Sequence, residues 1–369
     1  MNLYGLFLLA YLIFAAFLIY AMICGNNKVH RNGFVGKVYQ FMTNGLPKCF
    51  TRCGKKLCPS KFKNGDDEGS CIGEGGPCHY FVFIFFLIIY IALGSIYWIY
   101  VYPNLKHLFP QNLNLHQFLS FFLLPIPWII VIALQFIDPG IITKYNVLNY
   151  LKKYPYDHQL YFERMCPTDH IPIVPRSRYC KYTHHRIAMY DHYCPWVLAP
   201  IGERTHRFFL AFLISCTNVS AYYAYGCLKR IIFRMLLISS KVKWTQSKAN
   251  NIALGFLILV RAEPLTFSAS ILLIVIVIAL LIFIGQQLYY VSKNITQIEL
   301  DKYDTLKDKM KESGSDQKII NYYNKGIVEN WKEFLFPSKV ENGEVFQENQ
   351  KTENQKTENK KGKGKVKKH

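Results

Sequence analysis

Five blocks of this chain are apolar over about the length a helix needs to cross a bilayer, roughly 20 residues. They run Leu3–Ile23, Tyr80–Val101, Phe118–Ile137, Phe208 to about Leu228, and Phe267–Val291. In lipid the backbone has no water to bond to, so such a block must satisfy its own amides as a helix. Apolar residues make up 51% of the 369, and the lysines collect between and after the blocks. The chain therefore reads as an all-α polytopic membrane protein, a helical transmembrane bundle of about five spans. Leu3–Ile23 lacks early positive charge and exceeds a signal-peptide core, so it is read as a retained anchor. Ile252–Val260 is apolar but is interrupted by Arg261, Glu263 and Pro264, and its entry into the membrane is left open.

Charge sets the orientation. Gly25–His79 carries Lys28, Arg31, Lys37, Lys48, Arg52, Lys55, Lys56, Lys61 and Lys63, which places it in the cytosol by the positive-inside tendency. Five spans then put the polar stretch between blocks three and four, and the C-terminal tail, on the same side. Lys229, Arg230, Arg234, Lys241, Lys243 and Lys248 conflict with this, because they would face the lumen; Ile231–Ile238 is expected to lie as an interfacial helix. The net charge of +20 is spread over membrane-flanking loops and the tail, which favours anionic headgroups and argues against nucleic acid.

The expected organisation is a transmembrane anchor at 1–24, a basic cysteine-containing cytosolic loop at 25–79 and a transmembrane hairpin at 80–137. A small loop-rich cytosolic domain follows at 138–207, then spans with a basic loop at 208–291, a cytosolic element at 292–338 and a lysine-rich tail at 339–369. The tail is poor in apolar residues and is expected to be disordered. Its end, Lys365-Val366-Lys367-Lys368-His369, is similar to lysine signals that retrieve membrane proteins to the endoplasmic reticulum, which is therefore favoured over the Golgi.

The chemistry is expected in the polar stretch, at Asp191-His192-Tyr193-Cys194 followed by Pro195-Trp196-Val197. A cysteine two residues after a histidine can lie near its ring, and an adjacent aspartate can orient that ring, which is what a nucleophile needs. A free thiol with a pKa of about 8.5 is only a few per cent ionised near neutrality, whereas one lowered by about two units is mostly thiolate. His192 is the candidate base, and Asp191 would fix its tautomer and favour the imidazolium.

Cys166-Pro-Thr-Asp169, Pro175-Arg-Ser-Arg-Tyr-Cys180, Asp191 to Val197 and Gly202-Glu203-Arg204 together resemble the DHHC family of protein S-acyltransferases. Asp138-Pro139-Gly140, Thr296-Gln297-Ile298-Glu299 and the stretch from Tyr323 to Trp331 are similar to its further motifs, so the resemblance covers roughly Tyr80 to Pro337. It implies that Cys194 takes an acyl group from palmitoyl-CoA or a similar long-chain acyl-CoA. It implies transfer of that group to cysteine thiols of membrane-associated proteins, with Trp196 lining the acyl path and no nucleotide or redox cofactor.

The resemblance also implies two structural zinc ions, each held by three cysteines and a histidine. Here the aligned sets are Cys166, Asp169, Tyr179, Arg186 and Cys180, Thr183, Tyr193, Pro200. Arg186 and Pro200 offer no donor, so both zinc ions are expected to be absent and no metal ligand is assigned. Tyr179, Tyr182, Tyr190 and Tyr193, with prolines 167, 172, 175 and 195, are expected to stiffen the domain instead.

Other features have plainer readings. Asp138 and Glu299 are expected to cap or hydrogen-bond where spans end, Asn330 to be structural, and His184 and His185 to be exposed in a loop. Cys49, Cys53, Cys58, Cys71, Cys78 and His79 read as membrane-proximal thiols rather than a metal site, and Cys216 and Cys227 as packing residues. The sequon Asn294-Ile295-Thr296 offers a test of topology by glycosylation. Two other functions are weighed against the enzyme: an inactive scaffold that binds acyl-CoA or client proteins, and a transporter, which the scarcity of ionisable residues in the spans disfavours.

Overall fold

A computed structural model describes residues 33–35, 37, 78–240, 248–313 and 319–346. The block Leu3–Ile23, the cysteines from Cys49 to Cys71 and the retrieval-like end Lys365–His369 lie outside the described residues. Among those described, four helical stretches are long and apolar enough to cross a membrane: Val82–Leu108, Leu113–Phe136, His206–Ser239 and Pro264–Lys293. They correspond to the last four of the five blocks.

The first stretch is helix α1 (Cys78–Ile96), which passes through a π turn at Tyr97–Val101 and a 3₁₀ turn at Tyr102–Asn104 into α2 (Leu105–Leu108). The second comprises α3 (Leu113–Leu123) and α4 (Ile126–Phe136), interrupted beside Pro125, which has no amide to donate. Helix α6 (His206–Ser239) has 34 residues and so extends about 51 Å, well beyond a hydrocarbon core of roughly 30 Å. Helices α7 (Lys248–Ala262) and α8 (Pro264–Lys293) flank Glu263.

The chain divides into two compact units. One contains the described residues up to Gln135, with Pro195–Ala199 and Phe208–Gln287; the other contains Phe136–Cys194, Pro200–Arg207 and the described residues from Leu288. The first unit packs Tyr97, Val101 and Leu105 against Val219, Tyr223 and Cys227, with Ala269 and Leu273 completing the cluster. The Tyr97 and Tyr223 rings stack at 4.1 Å. Gly226 permits this approach, since a Cβ there would lie 2.8 Å from the Tyr97 ring. Hydroxyl bonds supplement the packing: Tyr97 Oη lies 2.8 Å from Ser120 Oγ, and Tyr222 donates to the His116 carbonyl at 2.9 Å.

The basic residues after the fourth block are placed differently from the expectation. Ile231–Ile238 continues α6 instead of forming a separate interfacial helix. Glu263, 4% exposed, explains how the helix carries its charge: it accepts from Arg230 Nε and Nη2, each at 2.9 Å, from Thr266 at 2.9 Å, and faces Arg234 at 2.9 Å. Arg230 also donates to the Tyr100 carbonyl. Two of the six unexpected cations thus share one buried carboxylate, which offsets one of their two charges.

The second unit corrects the all-α expectation, because it holds two small antiparallel sheets. Strand β3 (His185–Ile187) lies between β1 (Ile141–Ile142) and β2 (Arg178–Cys180), with Ile142 and Tyr179 both opposite Arg186. Strand β4 (His192–Cys194) pairs with β5 (Ala199–Ile201). Strands of two or three residues are too short to display an alternating pattern. Beside the sheet, Ile142, Val147, Tyr150, Tyr154, Tyr161, Val174 and Tyr323 form a core with α5 (Val147–Lys153). Helices α9 (Gln297–Glu312) and α10 (Ile327–Leu335) complete the unit.

Candidate active site

Asp191, His192 and Cys194 sit on and just before β4, whose backbone enters the sheet through the Asp191 amide donating to the Ile201 carbonyl at 2.9 Å. His192 Nδ1 lies 2.8 Å from Asp191 Oδ2, and Cys194 follows two residues on along the same strand, where alternate side chains share a face. Asp191 and Cys194 are buried at 2% and 3% exposure, while the His192 side chain keeps 30% of its surface open. The buried ends of the array are fixed and the middle group faces outward, which suits a proton carrier.

Electrostatics reinforce the array. Burial works against a charged His192 ring, but its bonds to Asp191 and Cys194 outweigh that and push its pKa up to about 10. Burial would raise the Asp191 carboxyl, but the His192 bond, the nearby His206 and the Gln297 amide bring it down to about 2. An imidazolium between a carboxylate and a sulfur is therefore the favoured charge state near neutral pH.

Adjacency in sequence suggested these three residues; their support comes from far along the chain. Asp191 Oδ1 accepts from the Gln297 amide at 2.9 Å, at the first turn of α9, where the helix dipole favours a carboxylate. That turn is closed by a capping box in which Thr296 accepts from the Glu299 amide and Glu299 accepts from the Thr296 amide. Glu299 also takes both Nε and Nη2 of Arg176, at 2.8 and 3.0 Å, and the Tyr161 hydroxyl at 3.0 Å. Arg176 donates as well to the Asn294 side chain at 2.8 Å and to its carbonyl at 3.1 Å. The role of Arg176 was missed from sequence, where it stood inside a quoted motif without a partner.

This network changes the meaning of the sequon. Asn294 is 6% exposed and Thr296 is 3% exposed, and Asn294 also donates to the Tyr323 carbonyl at 3.0 Å. A folded chain has no room for a glycan there, so a bare Asn294 carries no information on topology.

The plainer readings fit the observed contacts. Asp138 accepts from the amides of Gly140 and Ile141, both at 2.9 Å, and from Arg204 at 2.6 Å. Gly140 takes φ 104°, which side chains resist, and turns the chain from α4 into the sheet. Glu203, next to Arg204, is buried against Tyr150, Tyr154 and Lys153. Asn330 donates to the Ser292 carbonyl at 2.9 Å. His184 and His185 are exposed, although His185 lies in β3, while Cys216 and Cys227 are buried.

Trp196 belongs to the other unit. It meets Phe86 edge-on at 6.2 Å, and Phe86 in turn contacts Trp128 at 5.5 Å and Phe212 at 5.9 Å. Gln135 donates to the Val197 carbonyl at 2.7 Å and holds this segment to α4. Trp196 remains 43% exposed beside these rings.

The first set of positions aligned with zinc ligands is built around Arg186. Its Nη2 donates to Cys166 Sγ at 2.8 Å, its Nε to Asp169 Oδ2 at 3.1 Å and its Nη1 to Ser177 Oγ at 3.3 Å. At the second set, Tyr193 stacks on Tyr182 at 3.9 Å over Cys180, Ile187 and Tyr190. A guanidinium has no lone pair to give and a proline ring has none, so neither set fits a four-donor zinc. Among the described residues no cluster of three or more metal-ligating side chains occurs.

Comparison with known proteins adds an independent line. Residues 159–304 match the family model for DHHC palmitoyltransferase. The chain is 25% identical over 315 residues to palmitoyltransferase ZDHHC4 of Bos taurus, covering 81% of this chain and 85% of that protein. It is 29% identical over 185 residues to a probable protein S-acyltransferase 6 of Arabidopsis thaliana, covering 48% and 38%. It is 26% identical over 186 residues to palmitoyltransferase SWF1 of Yarrowia lipolytica, covering 49% and 46%. Together these matches support protein S-acyltransferase function in an integral membrane protein.

Proposed function

We propose that this protein is a protein S-acyltransferase in which Cys194 is the nucleophile, His192 the proton carrier and Asp191 the residue that orients and charges the ring. The observation that carries the reading is His192 Nδ1 lying 2.8 Å from the Asp191 carboxylate, on the same short strand as Cys194. Imidazole holds the Cys194 proton, and the thiolate attacks the thioester carbonyl of a long-chain acyl-CoA such as palmitoyl-CoA. The C–S bond to coenzyme A breaks, and the departing thiolate takes the proton from His192. In the second half the same imidazole takes the proton of a client cysteine, whose sulfur attacks the acyl-Cys194 thioester and returns Cys194 as thiolate. One thioester replaces another in each half, so no nucleotide or redox cofactor enters. The reading also assigns no zinc.

The remaining assignments follow from that reading. Trp196 lines the path of the acyl chain, of which each buried methylene contributes about 0.8 kcal/mol. The clients are membrane-associated proteins, the catalytic segment faces the cytosol, and the lysine pattern of the tail favours the endoplasmic reticulum over the Golgi. The expected boundaries of 138–207 and 292–338 are retained for the catalytic segment and the C-terminal element.

The test is autoacylation of the purified protein with a clickable palmitoyl-CoA analogue. Wild type should acquire a hydroxylamine-sensitive label that disappears in Cys194→Ser and falls steeply in His192→Ala. Undiminished label in Cys194→Ser would remove this mechanism, and acyl-CoA binding without label in wild type would favour the inactive scaffold.

A further inference from the structure

We propose that the guanidinium of Arg186 takes over the cross-linking task of the first zinc ion of this family, so that the segment folds around a buried cation belonging to its own chain. A structural metal in a small domain draws several chain segments to one point. Arg186 does the same with three donors aimed in three directions, to Cys166, Asp169 and Ser177. Its backbone adds two more segments, because Arg186 lies opposite Ile142 on one neighbouring strand and Tyr179 on the other. All four positions of the aligned set, Cys166, Asp169, Tyr179 and Arg186, thus converge on one centre.

The charges at that centre are complementary. The Arg186 side chain is 6% exposed, and Asp169, its ionic partner at 3.1 Å, is 17% exposed. A planar fork with five donors suits such a buried, many-partner role better than an ammonium would. The second set is replaced by different chemistry. There the Tyr182–Tyr193 stack packs with Cys180, Ile187 and Tyr190.

This inference concerns folding and does not require acyl transfer, so its test can be read apart from turnover. Full-length protein in detergent is assayed for metal by mass spectrometry and for thermal unfolding with and without a high-affinity zinc chelator. Zinc well below stoichiometric and a midpoint unchanged by chelator are expected. Stoichiometric zinc, or a midpoint lowered by chelation, would overturn the proposal. Arg186→Gln and Arg186→Lys should each lower the midpoint, on the order of 5 °C for the former and less for the latter; wild-type midpoints in both would also overturn it.

A constructive variant tests the geometry. Asp169→Cys, Tyr179→His and Arg186→Cys made together supply, with Cys166, three thiolates and an imidazole. That triple variant should bind one zinc ion and become chelator-sensitive, whereas Arg186→Cys alone should remain destabilised. A folded triple variant that takes up no zinc would mean that the four positions do not share a centre, against the proposal. The wild-type metal and chelator measurements decide the matter even where the variants fail to fold.

Discussion

Arg176 places a guanidinium against a buried carboxylate and Arg186 against a half-buried one, and they reach very different distances along the chain. Arg176 joins residues more than a hundred positions away, Glu299 and Asn294, and its side chain is wholly buried. Arg186 works locally, on Asp169, Cys166 and Ser177. The distant clamp fixes the turn whose Gln297 amide supports Asp191; the local one staples a loop to a three-stranded sheet. One guanidinium thus ties segments more than a hundred residues apart, and the other ties neighbours within about twenty residues.

The comparison breaks first at Arg176. Arg176→Met leaves Glu299 buried without its cation, which should cost about 3–5 kcal/mol and reduce autoacylation with it; unfolding by denaturant checks the first effect and acyl labelling the second. The double variant Arg176→Met, Glu299→Leu should be less destabilised than the single one, since no charge is left stranded. Asp169→Asn should cost less, about 1–2 kcal/mol, because the amide keeps an acceptor and the site is partly open. A loss as large as that of Arg176→Met would erase the distinction between the two clamps.

A smaller effect separates both clamps from the Asp191–His192 pair, which titrates. His192 has its folded pKa raised from 6.5 to about 10, so its contribution is fully present below 6.5 and is lost as pH rises through about 10. Asp191 is lowered from 3.8 to about 2, so its contribution is present above 3.8 and is lost as pH falls through about 2. Relative to His192→Gln, wild type should gain most in thermal midpoint between these limits, and the gain should shrink towards pH 10. Water around the partly open ring screens the pair, so the excursion should be modest. Removing the exposed Lys332–Glu329 pair should change stability by less than about 0.5 kcal/mol, which serves as the baseline for surface charge.

Features written in contiguous residues were legible in the sequence. The spans at Tyr80–Val101, Phe118–Ile137, Phe208 to about Leu228 and Phe267–Val291 announced themselves by apolar length, and Asp191, His192 and Cys194 by adjacency. The bonds that position them were not legible, because no local pattern tells Arg176 to seek Glu299 or places Gln297 at Asp191. Arg186 was read as a lost ligand, since donor chemistry alone shows what a residue cannot hold and leaves open what it grips instead. The sheets escaped notice because Ile141–Ile142 and its neighbours are shorter than one full alternation. Glu263 was taken as an interruption of an apolar run until the helix ending at Ser239 brought Arg230 and Arg234 beside it.

The Gln297 bond to Asp191 ties the Asp191–His192 pair to a segment that is translated much later. A ribosome delivers Asp191, His192 and Cys194 long before it delivers Gln297, and α8 must be made and released in between. Until then the aspartate lacks one of its donors. The support at Asp191 is therefore completed only after the helix Pro264–Lys293 has been made.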